Sequence, residues 1–178
     1  MKQITIGFSP CPNDTFIFDA LVNGSIDTGK YRFVPHLADV EELNKMALGG
    51  MLDVTKISVA SYPAISEHYI ILESGSALGK GVGPIVVAKS NEADLKNNQT
   101  TAAIPGFNTT ANLLLSIFHP EIVQKKEVIF SEIEDTVLAG RADVGLLIHE
   151  GRFTYRQKGL TLLADLGEAW ELHNKTPL

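Results

Sequence analysis

Short apolar or β-branched runs alternate along this chain with helix-like stretches bounded by caps and glycine stops. That alternation confines it to an α/β architecture with mostly parallel strand pairing. The strand-like runs fall at residues 4–8, 31–36, 54–57, 69–73, 83–88, 101–104, 127–130, 144–148 and 160–164. Between them, Asp39 with Glu42 and Ser131 with Glu134 have capping-box spacing, and Gly49-Gly50 and Gly140 stand at helix stops. Asn91, Asn108 or Thr109, and Gly159 supply further caps and stops. A last helical pattern at 166–173 precedes residues 174–178, and no segment there returns the chain to a first lobe, as two-lobed α/β binding folds ordinarily do. No internal repeat or low-complexity tract stands out.

A chain of 178 residues accommodates one large or two small α/β lobes. The glycine-rich, nearly uncharged stretch 74–83 interrupts the composition and reads as a hinge, a mobile binding loop, a plain linker or a hairpin tip. A boundary near it leaves a first lobe at residues 1–90 and a second at 91–178. A hydrophobic fraction of 44% with 20% charged residues is that of a soluble globular protein. A net charge of −6, with no basic cluster interleaved with aromatics, argues against a nucleic-acid or anionic-membrane partner. The single cysteine, Cys11, excludes an internal disulfide and fits a reducing compartment. The N-terminal apolar run is broken by Pro10 and Pro12, unlike a secretory signal, and no run is long enough to span a bilayer, so a cytoplasmic location is expected.

Four polar turns follow strand-like runs. In Ser9-Pro10-Cys11-Pro12-Asn13-Asp14-Thr15-Phe16 the two prolines end a strand and hold off helix formation until Asn13 or Asp14, which can cap a helix at 15–22 stopped by Gly24. This is either a ligand-binding turn at the carboxyl end of a first strand or a stiff structural junction. In Pro105-Gly106-Phe107-Asn108-Thr109-Thr110-Ala111 a glycine precedes a helix whose N–H groups, with the Thr109 and Thr110 hydroxyls, can hold a carboxylate or phosphate; ordinary N-capping is the competing reading. The Gly-Lys-Ser/Thr ending of a P-loop is missing. At Asp53-Val54-Thr55-Lys56-Ile57-Ser58-Val59, Ser58 can donate to a ligand or cap the next helix, and Lys56 can reach inward or extend to solvent.

His149 directly follows the apolar strand 144–148 and stands beside Glu150 and Arg152. It is placed either for general-base work or for capping the next helix. Glu150 and Arg152 would orient or support such a site, or pair with each other. His36, His68, His119 and His173 read as structural. Cys11 is either a nucleophile or, with no histidine near it in sequence, a small buried thiol. Neither metal-ligand spacing nor a dinucleotide fingerprint occurs.

The segments Ser9–Phe16, Asp53–Ser58, Pro105–Thr110 and Ile148-His149-Glu150-Gly151-Arg152-Phe153-Thr154-Tyr155, in this order along essentially the whole chain, resemble the 1,4-dihydroxy-6-naphthoate synthase family of the futalosine route to menaquinone. The resemblance implies a two-lobed fold like the type 2 periplasmic binding proteins, with the ligand in the interlobe cleft. It implies cyclic dehypoxanthinylfutalosine as substrate, 1,4-dihydroxy-6-naphthoate as product, and no metal or organic cofactor. It places the family's catalytic histidine at His149. With that substrate, the polar turns themselves lead us to expect Thr109 and Thr110 to hold the aryl carboxylate, and Ser9, Asn13 and Ser58 to bind sugar hydroxyls or the developing enolate. Family members continue well past the position of Leu178, so the resemblance also implies that the final C-terminal segment is absent. An incomplete lobe exposes apolar edges that a partner chain, such as the second copy in a homodimer, would cover. The rival expectations are a chorismate dehydratase-like enzyme and a non-catalytic solute-binding protein of the same fold.

Overall fold

The computed structural model describes residues 1–178. The chain divides into two units, Met1–Ser76 and Ala77–Leu178. The first contains β1 (Lys2–Phe8), α1 (Pro12–Val22), β2 (Tyr31–Leu37), α2 (Val40–Leu48), β3 (Val54–Thr55) and α3 (Tyr62–Ile65). The second contains β4 (Ile85–Ala88), β5 (Thr101–Ile104), α4 (Thr110–Phe118), β6 (Gln124–Glu127), α5 (Ile133–Leu138), β7 (Val144–Leu147), α6 (Gly151–Thr154), β8 (Thr161–Asp165) and α7 (Leu166–Asn174). None of these helices is long and apolar enough to cross a membrane.

The expected boundary after residue 90 does not match this division. Strand β4 pairs antiparallel with both β7 and β8, so it belongs to the second sheet, whose order is β6-β5-β7-β4-β8. Every residue of β4 is buried: Ile85 and Val87 enter a cluster with Ile133, Val137 and Leu147, while Val86 and Ala88 join Leu114, Leu115 and Leu166 on the opposite face. A strand covered on both faces reads as a continuous apolar run, as Ile85-Val86-Val87-Ala88 does.

A repeated strand pattern organises both units, although no sequence repeat stands out. In the first, parallel strands take the order β2-β1-β3; in the second, β6-β5-β7 repeats the same parallel arrangement. The outer strand of each trio is polar or interrupted, as an edge strand permits: β2 carries Pro35 and β6 is Gln-Lys-Lys-Glu. One device fixes the third strand against the first in each trio. Asp53 accepts from the Thr5 N–H and hydroxyl, both at 2.8 Å, and the Asp53 N–H donates to Thr5 Oγ1 at 2.9 Å. Asp143 accepts from the Thr101 N–H at 2.8 Å and hydroxyl at 2.7 Å, and returns its own N–H to Thr101 Oγ1 at 3.1 Å.

Several local expectations change for identifiable reasons. Helix α1 starts at Pro12 with Cys11 as its N-cap residue, so Asn13 and Asp14 lie inside the first turn rather than capping it. Asp39 does cap α2, but it accepts from the Glu41 N–H. The Ser131–Glu134 box does not form, because residues 130–132 make a 3₁₀ turn and Glu134 pairs with Lys158. Asn91 caps nothing: across 89–100 the Asp94 and Asn97 side chains accept from the N–H groups of Lys96 and Gln99, local bonds that compete with a helix. Residues 69–73 form no strand, and Ile70 and Ile71 are 81% and 65% exposed. β-branched residues yield a strand only where a neighbour pairs with them. The strand expected at 127–130 lies at Gln124–Glu127 instead.

The glycine-rich stretch is fastened on its second-unit side. Gly79 and Leu178 exchange N–H donation to each other's carbonyls at 2.8 and 2.9 Å, and the Gly81 N–H donates to Glu171 Oε1 at 2.6 Å. Gly83 packs so closely on Gly167 that a Cβ at Gly83 would lie 2.5 Å from the Gly167 Cα.

Two predictions follow from these contacts. Gly83→Ala forces backbone apart and should destabilise the second unit by about 1–3 kcal/mol, read as a lower urea midpoint. The Thr101 backbone N–H and hydroxyl hold the Asp143 carboxyl below the ordinary carboxylate range, outweighing its desolvation. A depressed folded-state pKa stabilises above the unfolded value and loses that contribution as pH falls through the folded one. Asp143→Asn should therefore cost about 1 kcal/mol at neutral pH and flatten the loss of stability on acidification below about pH 4, checked by urea titrations across that range.

Candidate active site

Parallel neighbours place their carboxyl ends side by side, and this alone gathers the polar turns of each unit at one sheet edge. In the first unit β1 pairs with β3 through Ile6–Val54 and Gly7–Thr55, so the turn after β1 and the segment Lys56–Ser58 emerge together. In the second, β5 pairs with β7 through Ala102–Val144 and Ala103–Gly145, so the Pro105–Thr110 turn and His149 emerge together.

The turn after β1 is a closed polar network. Ser9 is 4% exposed, and its hydroxyl lies 2.9 Å from both Asp14 Oδ2 and Cys11 Sγ. The Ser9 N–H also donates to Asp14 Oδ2 at 3.1 Å. Lys56 Nζ stands 3.7 Å from the other Asp14 oxygen and donates to the Gly75 carbonyl at 3.0 Å, so it turns inward rather than extending to solvent. Ser9, expected to bind substrate, is thus engaged in holding the turn; Cys11 is buried within the same network. Asn13 is exposed on the first turn of α1, with an amide that bonds to no protein group.

Ser58 is oriented by a residue that sequence reasoning did not single out. Asn44, fully buried on α2, accepts from the Ser58 N–H at 2.9 Å through Oδ1 and donates through Nδ2 to Ser58 Oγ at 3.2 Å. A backbone N–H can only donate, which settles the orientation of the amide. Ser58 Oγ therefore accepts from Asn44 and keeps its own proton for another acceptor. A polar residue between Leu43 and Ala47 on the apolar stripe of α2 was the available signal.

In the second unit Thr109 is 3% exposed and caps α4: its hydroxyl accepts from the Asn112 N–H at 3.2 Å and donates to the Gly106 carbonyl at 2.8 Å. That hydroxyl is consumed by the cap. Thr110, the first residue of the nine-residue α4, is half-buried. Asn112 donates to the Phe107 carbonyl and accepts from Lys125 Nζ at 2.8 Å, supporting the turn from behind. Burial pushes the Lys125 ammonium below its ordinary pKa.

His149 has φ of +53°, a left-handed backbone that a non-glycine residue adopts at some cost. Half-buried, it presents its ring edge-on to Phe130, with centroids 5.4 Å apart and planes at 69°. No protein group hydrogen-bonds either ring nitrogen. Glu150 is exposed and does not pair with Arg152, contrary to one expectation; Arg152 pairs with Asp165 instead. Burial pushes the Asp165 carboxyl up, but hydrogen bonds from Arg152 and from backbone N–H groups of α7 outweigh it and hold the pKa below the ordinary value. A concavity of about 520 Å³ at the opposite end of the second sheet is lined by Lys89, Asp94, Asn97, Thr100 and Asp143. Much of its polar lining is engaged in the turns and the aspartate lock already described.

The chain matches the menaquinone biosynthesis family over residues 4–178. It is 46% identical over 178 residues to a protein of Thermus thermophilus named 1,4-dihydroxy-6-naphtoate synthase, and 41% identical over 180 residues to a protein of the same name from Streptomyces coelicolor. These alignments cover 100% and 98% of this chain but 64% and 63% of the relatives, so the chain spans a little under two thirds of their length. A crystal structure of an Archaeoglobus fulgidus protein superposes with a TM-score of 0.92 at 37% identity, covering 99% of this chain and 65% of that one. The alkanesulfonate-binding protein of Xanthomonas axonopodis pv. citri, at 13% identity and a TM-score of 0.67 over 92% of this chain and 61% of that one, shares the two-lobed binding-protein fold. By its match over residues 4–178, the chain belongs to the menaquinone biosynthesis family.

Proposed function

We propose that the protein carries the reaction for which its relatives are named, as a cofactor-independent carbon–carbon lyase that converts cyclic dehypoxanthinylfutalosine to 1,4-dihydroxy-6-naphthoate. The observation that carries this reading is the placement of His149. It is an imidazole with unpartnered nitrogens on a left-handed residue, at the same sheet edge as the N-terminus of α4. Strained non-glycine residues cluster at active sites, where the surrounding structure holds them in place.

In this reading His149 removes a proton from a substrate hydroxyl or acidic carbon. The adjacent carbon–carbon bond then cleaves in a retro-aldol sense: the remaining sugar carbons leave as a carbonyl compound, the bond's electron pair passes into the ring that becomes aromatic, and the proton held by His149 returns to the products. The N–H groups at the start of α4, with Thr110, hold the aryl carboxylate, where the helix dipole favours negative charge. Thr109 acts through the cap, keeping those N–H groups in place. Asn13 and the proton of Ser58 bind sugar hydroxyls or the developing enolate, and Ser9 serves by fixing the turn that carries Asn13. The substrate is a small molecule that reaches the enzyme in the cytoplasm, and two copies associate as a homodimer.

Incubation with cyclic dehypoxanthinylfutalosine, followed by naphthoate absorbance, tests the activity. Chorismate in a parallel incubation tests the dehydratase, and binding without turnover would identify a solute-binding protein. His149→Gln should retain binding and lose roughly 10²–10⁴-fold in kcat, the range for removal of a general base. Undiminished turnover by that variant would overturn the role of His149.

A further inference from the structure

We infer that Arg152 is a positioning residue for His149, acting by clamping the left-handed turn to the beginning of β4 and to the β8–α7 junction; the inference rests on the general-base reading of His149. The Arg152 N–H donates to the His149 carbonyl at 3.3 Å, closing the turn. Its guanidinium then reaches three separate points. One nitrogen donates to the Gly83 carbonyl at 3.0 Å; the other donates to the Gly81 carbonyl at 3.4 Å and forms the ion pair with Asp165 Oδ2.

Each anchor is itself fixed. Asp165 uses its second oxygen to cap α7, accepting from the Glu168 N–H at 3.0 Å. Gly81 is held by Glu171, and Gly83 lies backbone-to-backbone on Gly167. Both members of the pair are largely enclosed, with side chains 17% and 14% exposed. A pair so withdrawn from water keeps a definite geometry, unlike an exposed surface pair. The planar guanidinium fork serves three acceptors at once, which an ammonium cannot reproduce.

The same short segment thus joins His149, α6 and the stapled Gly79–Gly83 loop. A residue in a left-handed conformation would relax toward an ordinary one if released. Arg152 prevents this, and it keeps the ring edge-on to Phe130.

The test uses Arg152→Lys, Arg152→Met and Asp165→Asn. The last retains a good N-cap for α7 while removing the charge partner, so it remains informative if Arg152→Met folds poorly. The first readout is the His149 ring resonance in ¹H–¹³C NMR, assigned with His149→Gln. In all three variants it should lose its ring-current shift from Phe130 or broaden, while far-ultraviolet circular dichroism stays unchanged. The second is turnover of cyclic dehypoxanthinylfutalosine, where kcat should fall about 10²-fold, the effect of a small misplacement of a reacting group, with KM little altered. An unchanged His149 resonance in both Arg152→Met and Asp165→Asn would overturn the inference. A wild-type protein inert toward the substrate, whose His149 resonance still responds to these variants, would instead overturn the proposed reaction and leave the positioning role standing.

Discussion

The reciprocal aspartate–threonine lock at the start of each strand trio is the constraint on which the rest depends. Three hydrogen bonds between Asp53 and Thr5, and three between Asp143 and Thr101, fix the third strand against the first at their amino ends. With the register fixed there, the carboxyl ends of the same strands must emerge together. The Ser9 turn and Ser58 then share one edge in the first unit, and the Thr109 turn and His149 share one in the second. A carboxylate that accepts from both a backbone N–H and a hydroxyl suits this task, because moving either strand by one residue breaks all of its bonds together.

At those edges the polar side chains divide into holders and presenters. Ser9, Asp14 and Thr109 are buried and bonded within their own turns. Asn13, the hydroxyl proton of Ser58 and the ring nitrogens of His149 have no such commitment. Burial separates the two groups: a polar atom removed from water must be satisfied by the protein, so the most enclosed members of each turn are the ones that build it. Asn44 and Arg152 work one layer back, each orienting a residue that faces outward.

The sequence made the α/β class, most strands, the glycine helix stops and the edge position of His149 legible, because apolar periodicity and cap chemistry are local. Less legible was whatever depends on a partner distant in the chain. Gln-Lys-Lys-Glu carries no apolar signal for β6, which pairs only by its backbone at a sheet edge. Residues 69–73 have strand composition and no strand beside them. The division of the units was misplaced because β4 belongs with β7 and β8, strands more than fifty residues further on. The repeated pattern has a local trace: Leu48-Gly49-Gly50-Met51-Leu52-Asp53-Val54 and Leu138-Ala139-Gly140-Arg141-Ala142-Asp143-Val144 share leucine, glycine, aspartate and valine at the same spacing. In the site, hydroxyls were counted as ligand donors without asking which were already needed as caps.

Under the proposed function, the N-terminus of α4 and His149 meet one carboxylated aromatic ligand. Titration of the ¹⁵N-labelled protein with 1,4-dihydroxy-6-naphthoate tests it most directly, since it requires no turnover. The largest shifts should fall on the Thr110 and Ala111 amides and on the His149 ring. Shifts confined to the concavity lined by Lys89, Asp94 and Asn97, with Thr110, Ala111 and His149 unmoved, would contradict it.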